Sequence, residues 1–272
     1  MNEDDLFADN GAVVLRQVVE RAWVDGLAEG LEKNLRNPSP YGCRYTKEGE
    51  PGSFRDDYCN WQRISEYRDF VFDSGIASRV AGLLRSRRVR FFHEHVLVKE
   101  PGTREVSPWH QDQPYYCVDG EQVCSLWLPL DPVPRRVCPE FIAGSHRWGR
   151  LFAPRKFVDH LPYDGALERF EPVPDIDAHR EEYDILGWDL EPGDAVAFHM
   201  KTLHGAPGTD AHDLRRRAVA TRWLGDDAVF AERPFPTSPP FPELRLRPGD
   251  PMASDLFPIV FDADGRPGAG PA

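Results

Sequence analysis

The hydrophobic positions change their period about a third of the way along the chain. After a short apolar run, Gly11-Ala12-Val13-Val14-Leu15, the residues Val18, Val19, Trp23, Leu27, Leu31 and Leu35 recur at helical spacing. Pro38 and Pro40 end that helix. Residues 41–57 are polar and glycine-containing and predict a loop. A second helical pattern runs from about Asp73 to Leu84, with Ile76, Val80, Leu83 and Leu84 on one side. The period then becomes two. Val89 to Lys99, Val123 to Leu130, Ala195 to Met200 and Arg216 to Leu224 read as strands. Ser125, Trp127 and Pro129 share one face of the second of these. Residues 151–183 are charged and proline-punctuated, which predicts a long connection or lid. Helices first and strands afterwards predict a mostly β fold with flanking helices, a sandwich or jelly roll. It is expected to form a single domain over residues 1–272. Roughly 233–272 would be a proline-rich C-terminal tail with a frayed end.

Composition supports many turns over a helical bundle. The 272 residues include 26 prolines and 22 glycines, and 40% are hydrophobic, enough for a sizeable core. The formal net charge of -12 weighs against nucleic acid, whose phosphates need a basic surface. Cys43, Cys59, Cys117, Cys124 and Cys138 are odd in number and contain no CxxC pair, so reduced thiols in a cytoplasmic protein are expected. The acidic start Met1-Asn2-Glu3-Asp4-Asp5 is unlike a signal peptide, and no stretch has the length of a membrane span. The expected partner is a small-molecule substrate; oligomeric state is not legible.

The sharpest local feature is Trp109-His110-Gln111-Asp112. In extended chain, residues two apart share a face, so His110 and Asp112 can both reach one cation. A histidine from a distant strand would complete the 2-His-1-carboxylate triad of non-haem Fe(II) oxygenases, leaving three coordination positions open. Two suit the keto-acid end of 2-oxoglutarate and the third O₂. His204, in Leu203-His204-Gly205-Ala206 after the strand Ala195–Met200, is a candidate for that third ligand, and His199 is its rival. Farther on, Arg215-Arg216-Arg217-Ala218-Val219-Ala220 leads basic residues into an apolar strand. A buried guanidinium there could grip a carboxylate through two N–H bonds. Alternation groups Arg216 with the small residues Ala218 and Ala220, which leave room for a ligand, so Arg216 is preferred.

Several segments together resemble the phytanoyl-CoA dioxygenase family, from about Gly11 to Trp223. They are Leu97-Val98-Lys99-Glu100-Pro101-Gly102, Trp109-His110-Gln111-Asp112 with Tyr115, Trp127-Leu128-Pro129-Leu130, Ala143-Gly144-Ser145-His146, Leu203-His204-Gly205 and Arg216-Arg217-Ala218. The resemblance implies a double-stranded β-helix (jelly roll, cupin-like) core, Fe(II), 2-oxoglutarate and O₂. It implies hydroxylation of an unactivated C–H bond with release of succinate and CO₂. It carries the metal roles to His110, Asp112 and His204 and the 2-oxoglutarate role to Arg216, within one residue of register. Where the family has an Asn-Gly turn before the Gly-Ser-His segment, this chain has Arg135-Arg136-Val137-Cys138-Pro139-Glu140, which leaves the substrate open. Halogenating relatives carry a small residue at the metal carboxylate; Asp112 favours hydroxylation, desaturation or ring chemistry. Substrate contacts are sought at Tyr115, Trp127, Trp61 and Arg63, with Asn60 and Tyr116 beside them. Two other readings stay open: a cupin-like metal protein using His93, His95 and Glu100 without 2-oxoglutarate, and a non-catalytic jelly-roll binding protein.

Overall fold

The computed structural model describes residues 2–209 and 214–265; the frayed end expected at the C-terminus lies largely outside them. Four helices, α1 (Glu3–Asn10), α2 (Arg21–Arg36), α3 (Ser65–Asp73) and α4 (Ile76–Leu84), flank the strands. None among the described residues is long and apolar enough to cross a membrane. Capping sets the first helix: the Asn2 side chain accepts from Asp5 N, and Gly11 closes the helix at φ 73°. Val24, Leu27 and Leu31 form the buried stripe of α2.

The strands are β1 (Ala12–Leu15), β2 (Cys43–Arg44), β3 (Phe54–Tyr58), β4 (Arg88–Lys99), β5 (Ser107–His110), β6 (Val118–Asp119) and β7 (Val123–Pro129). They continue as β8 (Glu140–Ile142), β9 (Ile185–Leu186), β10 (Ala195–His199), β11 (His204–Ala206), β12 (Arg216–Leu224), β13 (Val229–Phe230) and β14 (Ile259–Asp262). A large antiparallel sheet has the order β1-β10-β7-β12-β4-β3-β2, with β14 also on β4. A smaller sheet, β5-β11-β8-β9, faces it, giving the jelly-roll core. One side of the large sheet presents Val96, Val98, Leu126, Leu128 and Val219 to the helices. The other presents Leu97, Trp127, Ala218 and Ala220 toward Phe141 of the small sheet.

The structure departs from the sequence reading in several places, among them α1, which that reading lacks, and β2, which lies in the expected loop. β3 lies in the expected loop; its charged Arg55, Asp56 and Asp57 conceal a strand, although both aspartates are buried. The helical pattern expected from Asp73 begins at Ile76, and α3 precedes it, separated by the left-handed Gly75. The β4–β12 register slips between Arg222 and Trp223: His93 faces Arg222, and Phe91 faces Trp223. The extra residue, Phe92, is a bulge that turns Val89 and Phe91 to the helix side while His93, His95, Leu97 and Lys99 face inward. The proline-rich segment from Arg233 packs on the body, with Phe257 and Met252 buried and β14 paired to β4.

Candidate metal centre and cavity

His110 ends β5 and His204 begins β11, and the register sets them directly opposite each other. Their rings are 4.1 Å apart between centroids. Asp112 is not on the strand: its backbone is helical, at the start of a short 3-10 turn, and this turn swings the carboxylate back toward the two rings. His110, Asp112 and His204 are all buried and offer ligand atoms within 4.8 Å of one another. His199, the rival, lies elsewhere, with its Nε2 on the Glu121 carbonyl.

The hydrogen bonds around these rings determine their tautomers. Nδ1 of His110 lies 2.7 Å from the Pro108 carbonyl, and Nδ1 of His204 lies 3.0 Å from the Thr202 carbonyl. A carbonyl only accepts, so each Nδ1 carries the hydrogen and each Nε2 presents a lone pair. Both Nε2 atoms lie 3.6 Å from Asp112 Oδ1. Two lone pairs and a carboxylate oxygen thus face one another without a hydrogen between them. Burial, then the neighbouring His110, lowers the pKa of His204 to about 3, so its lone pair is free at neutral pH. For Asp112, burial alone would raise the pKa; the Arg222 charge overrides it and holds it well below the ordinary carboxylate value.

The other carboxylate oxygen is fixed from behind. Asp112 Oδ2 accepts from Ser125 Oγ at 2.7 Å and from Arg222 Nη2 at 3.3 Å. Arg222 also donates through Nε to the Tyr116 hydroxyl at 3.0 Å. Gln111 braces the turn, donating to the Lys201 carbonyl and accepting from Phe152 N. Ser125, Arg222 and Gln111 were not singled out from sequence. The only available signal was that Arg222 shares a strand face with Arg216 and Ser125 with Trp127.

A cavity of about 530 Å³ opens beside this cluster. His95, Leu97, Lys99, Arg216 and Ala218 line it from the large sheet, and Phe141, His110 and His204 from the small one. Phe157, from the expected lid, packs edge-on against His110 at 5.3 Å. Arg216 and Lys99 are opposite each other in the β12–β4 ladder, and both are buried. Neither has an acidic partner among the described residues: Arg216 Nη1 donates to the Val137 carbonyl, and Lys99 Nζ donates to the Glu105 and Pro207 carbonyls. Burial pulls the pKa of Arg216 down to about 10; burial, then the Arg216 charge, pulls Lys99 well below its ordinary value. Arg215 and Arg217 instead point outward, bonded to Glu32, Glu100 and Asp131.

Tyr115, Tyr116 and Trp127 line the cavity; Trp61 and Arg63 do not. Trp61 is buried on the helix side against Phe91, because its segment packs behind the large sheet. Arg63 is held by Asn60 and Asp57, and Asn60 is itself fully buried. His93 and His95 share the inner face, but Glu100 is bound to Arg215, so that trio does not converge.

The family model described as Phytanoyl-CoA dioxygenase (PhyH) matches residues 7–218. A Caenorhabditis elegans protein described as a probable phytanoyl-CoA dioxygenase is 20% identical over 242 residues, covering 81% of this chain and 74% of its own. Among solved structures, the non-heme alpha ketoglutarate dependent epimerase SnoN from nogalamycin biosynthesis gives a TM-score of 0.72 at 19% identity, covering 95% of this chain and 97% of its own. SnoN has also been solved with Fe3+, alpha ketoglutarate and nogalamycin RO. The carbocyclase SnoK, from the same biosynthesis and likewise alpha ketoglutarate dependent, gives 0.71 at 22% identity, with 95% of each chain covered. EctD from S. alaskensis, solved with 2-oxoglutarate and 5-hydroxyectoine, gives 0.66 at 19%, covering 92% of this chain and 84% of its own. At these identities the structural likeness establishes the shared fold.

Proposed function

The chain belongs to the phytanoyl-CoA dioxygenase family, and from that premise we propose that it is a ferrous, 2-oxoglutarate-dependent oxygenase that hydroxylates an unactivated C–H bond of a small molecule. The observation that carries this reading is the meeting of two imidazole lone pairs and one carboxylate oxygen, each nitrogen 3.6 Å from that oxygen. Without a cation this cluster is repulsive. A single cation held by His110, Asp112 and His204 would relieve that repulsion. The cluster sits on one side of the site, leaving the cavity side for exogenous ligands.

The residues fit the second cofactor equally well. A dicarboxylic keto acid needs a cationic anchor away from the metal, and Arg216 and Lys99 are two buried basic groups that form no ion pair among the described residues, Glu105 being the one acid whose charge reaches Lys99. Arg216 supplies a planar fork for the distal carboxylate, and Lys99 has one N–H left after its two carbonyl bonds. Ala218, the next inward residue of β12, leaves space between this anchor and the triad.

In the reaction, His110, His204 and Asp112 hold the ion, while Ser125 and Arg222 keep the carboxylate of Asp112 turned toward it. When bound, the ferrous ion couples O₂ activation to decarboxylation of 2-oxoglutarate and to oxidation of a substrate C–H bond. Arg216 and Lys99 orient the keto acid. Phe157 and Tyr115 pack against His110 and exclude water from that side. Asp112 occupies the place that a halide needs, which disfavours halogenation.

The test is anaerobic addition of Fe(II) and 2-oxoglutarate to the purified chain. A visible charge-transfer band is expected, absent in His110→Ala and Asp112→Ala, and succinate is expected on admitting air. Wild-type succinate formation in either variant would refute the ligand assignment. Once a substrate is found, retention of label from isotopic O₂ in the product separates hydroxylation from epimerisation or ring closure.

A further inference from the structure

The cavity contains a carboxylate that the proposed chemistry leaves unused. Asp56 lies on β3, opposite Leu97 of β4 and Cys43 of β2, and its row faces inward. It lines the cavity with a side chain only 4% exposed. Its Oδ2 lies 2.8 Å from His95 Nε2 and accepts from the Tyr45 hydroxyl at 2.8 Å. Its Oδ1 is buried and has no hydrogen-bond partner among the described residues.

Asp56 differs in this from the other buried carboxylates. Asp57, Asp112 and Asp194 each have an arginine within 4 Å: Arg63, Arg222 and Arg16. Glu94 accepts from two backbone N–H groups, of Asn60 and Trp61. Asp56 has neither an arginine nor a lysine; the one basic side chain on it is His95, at Oδ2 alone. A buried carboxylate oxygen left unpaired is costly, and on a cavity wall it is suited to a cation that arrives with the ligand.

The surrounding walls suit the same occupant. Tyr41, Tyr45, Tyr58, Phe157 and Tyr163 line this part of the cavity. Tyr41 and Tyr58 stack at 5.0 Å, Tyr45 faces Phe157 at 6.0 Å, and Tyr58 meets His95 edge-on. Aromatic faces around a carboxylate favour an alkylammonium, whose charge the rings stabilise while its carbon substituents pack against them. Charge placement along the cavity adds a direction. Arg216 and Lys99 make the cosubstrate end positive, so a cationic substrate group is repelled there and drawn to Asp56.

We infer that the substrate carries a basic nitrogen, protonated when bound, which docks on Asp56 within this aromatic box and thereby decides which of its carbons faces the metal. The last part, the presentation of a carbon to the metal, rests on the oxygenase reading; the recognition of the nitrogen does not. His95 and Tyr45 act as positioning residues that hold the carboxylate from its Oδ2 side.

The test uses tyramine and tyrosol, two phenols of one shape that differ by an ammonium and a hydroxyl. Their binding to the full chain is measured by calorimetry at neutral pH, without cofactors and again with Fe(II) and 2-oxoglutarate under argon. Wild type is expected to bind tyramine at least about tenfold more tightly than tyrosol. Asp56→Asn is expected to lose the preference while keeping its melting shift with 2-oxoglutarate, which shows that the fold is intact. Tyr45→Phe, which keeps the charge, is expected to retain it. Equal binding of the two probes, no saturable tyramine binding, a preference that survives Asp56→Asn, or its loss in Tyr45→Phe would each overturn the inference. If 2-oxoglutarate and Fe(II) leave the wild-type melting temperature unchanged while the tyramine preference stands, the oxygenase reading fails and the amine site remains.

Discussion

Replacing Arg216 by Met separates what this residue does for the fold from what it does for the cosubstrate. Its guanidinium is buried without an acid among the described residues, and its pKa falls to about 10. A buried cation whose folded pKa is depressed carries its full penalty below that value, and the penalty lifts only as pH rises toward the unfolded value. At about 1.4 kcal/mol per pH unit, keeping the ion at neutral pH costs the apo protein on the order of 3 kcal/mol. Removing it also leaves the Val137 carbonyl without its donor, a loss of about 1 kcal/mol. The apo variant should therefore gain roughly 2 kcal/mol, or about 3–5 °C in melting temperature for a chain of this size. Its affinity for 2-oxoglutarate should fall by about 2–5 kcal/mol, roughly 30-fold to several thousand-fold, because the distal carboxylate loses a buried partner. Thermal melts with a 2-oxoglutarate titration measure both. Wild type at a hundred times its Kd should gain about 2.7 kcal/mol, and the variant at the same concentration at most about 0.9 kcal/mol. A variant that melts lower than wild type, yet shifts with 2-oxoglutarate as wild type does, would refute the reasoning.

Three further perturbations probe other parts of the structure. Ser125→Ala and Arg222→Met should each weaken Fe(II) binding about 10- to 100-fold by releasing Asp112 Oδ2, read by a competition titration; unchanged affinity would show that Asp112 is held by other means. Glu94, pushed up to about 7 by burial, takes up a proton on folding between the ordinary carboxylate range and neutrality, so the native state loses stability as pH rises through that window. The loss should total on the order of 3 kcal/mol and be absent in Glu94→Gln, so parallel denaturation curves for the two proteins between pH 5 and 8 would count against it. Phe157→Ala should open the metal side of the cavity to water and raise succinate formation without substrate several-fold; a rate equal to wild type would mean that Phe157 does not shield the site.

Much of the candidate site was legible locally. The spacing of His110 and Asp112 named two members of the cluster, and strand alternation chose Arg216 over its neighbours. In the structure Arg216 lines the cavity, while Arg215 and Arg217 are bound to surface acids. The choice of His204 over His199 needed the family likeness, because one ends a strand and the other follows it closely, and only pairing with β5 sets His204 against His110. Other parts were hidden by physical causes. β3 looks like a loop because burial of Asp56 and Asp57 contradicts the usual placement of charge, and the interactions that permit it come from distant residues. Trp61 looks like a contact until its segment is seen behind the sheet.

The sequence by itself determined helices α2 and α4 and the strands β4, β7, β10 and β12, which residues alternate on them, and the identity of the groups able to bind a metal, since these depend on near neighbours and on side-chain chemistry. The tertiary structure decided which faces turn inward past the bulge at Phe92, which carboxylates find a cation, and that Ser125 and Arg222 stand behind Asp112. Those outcomes depend on contacts between strands far apart in the chain, and no local period encodes the register in which such strands pair.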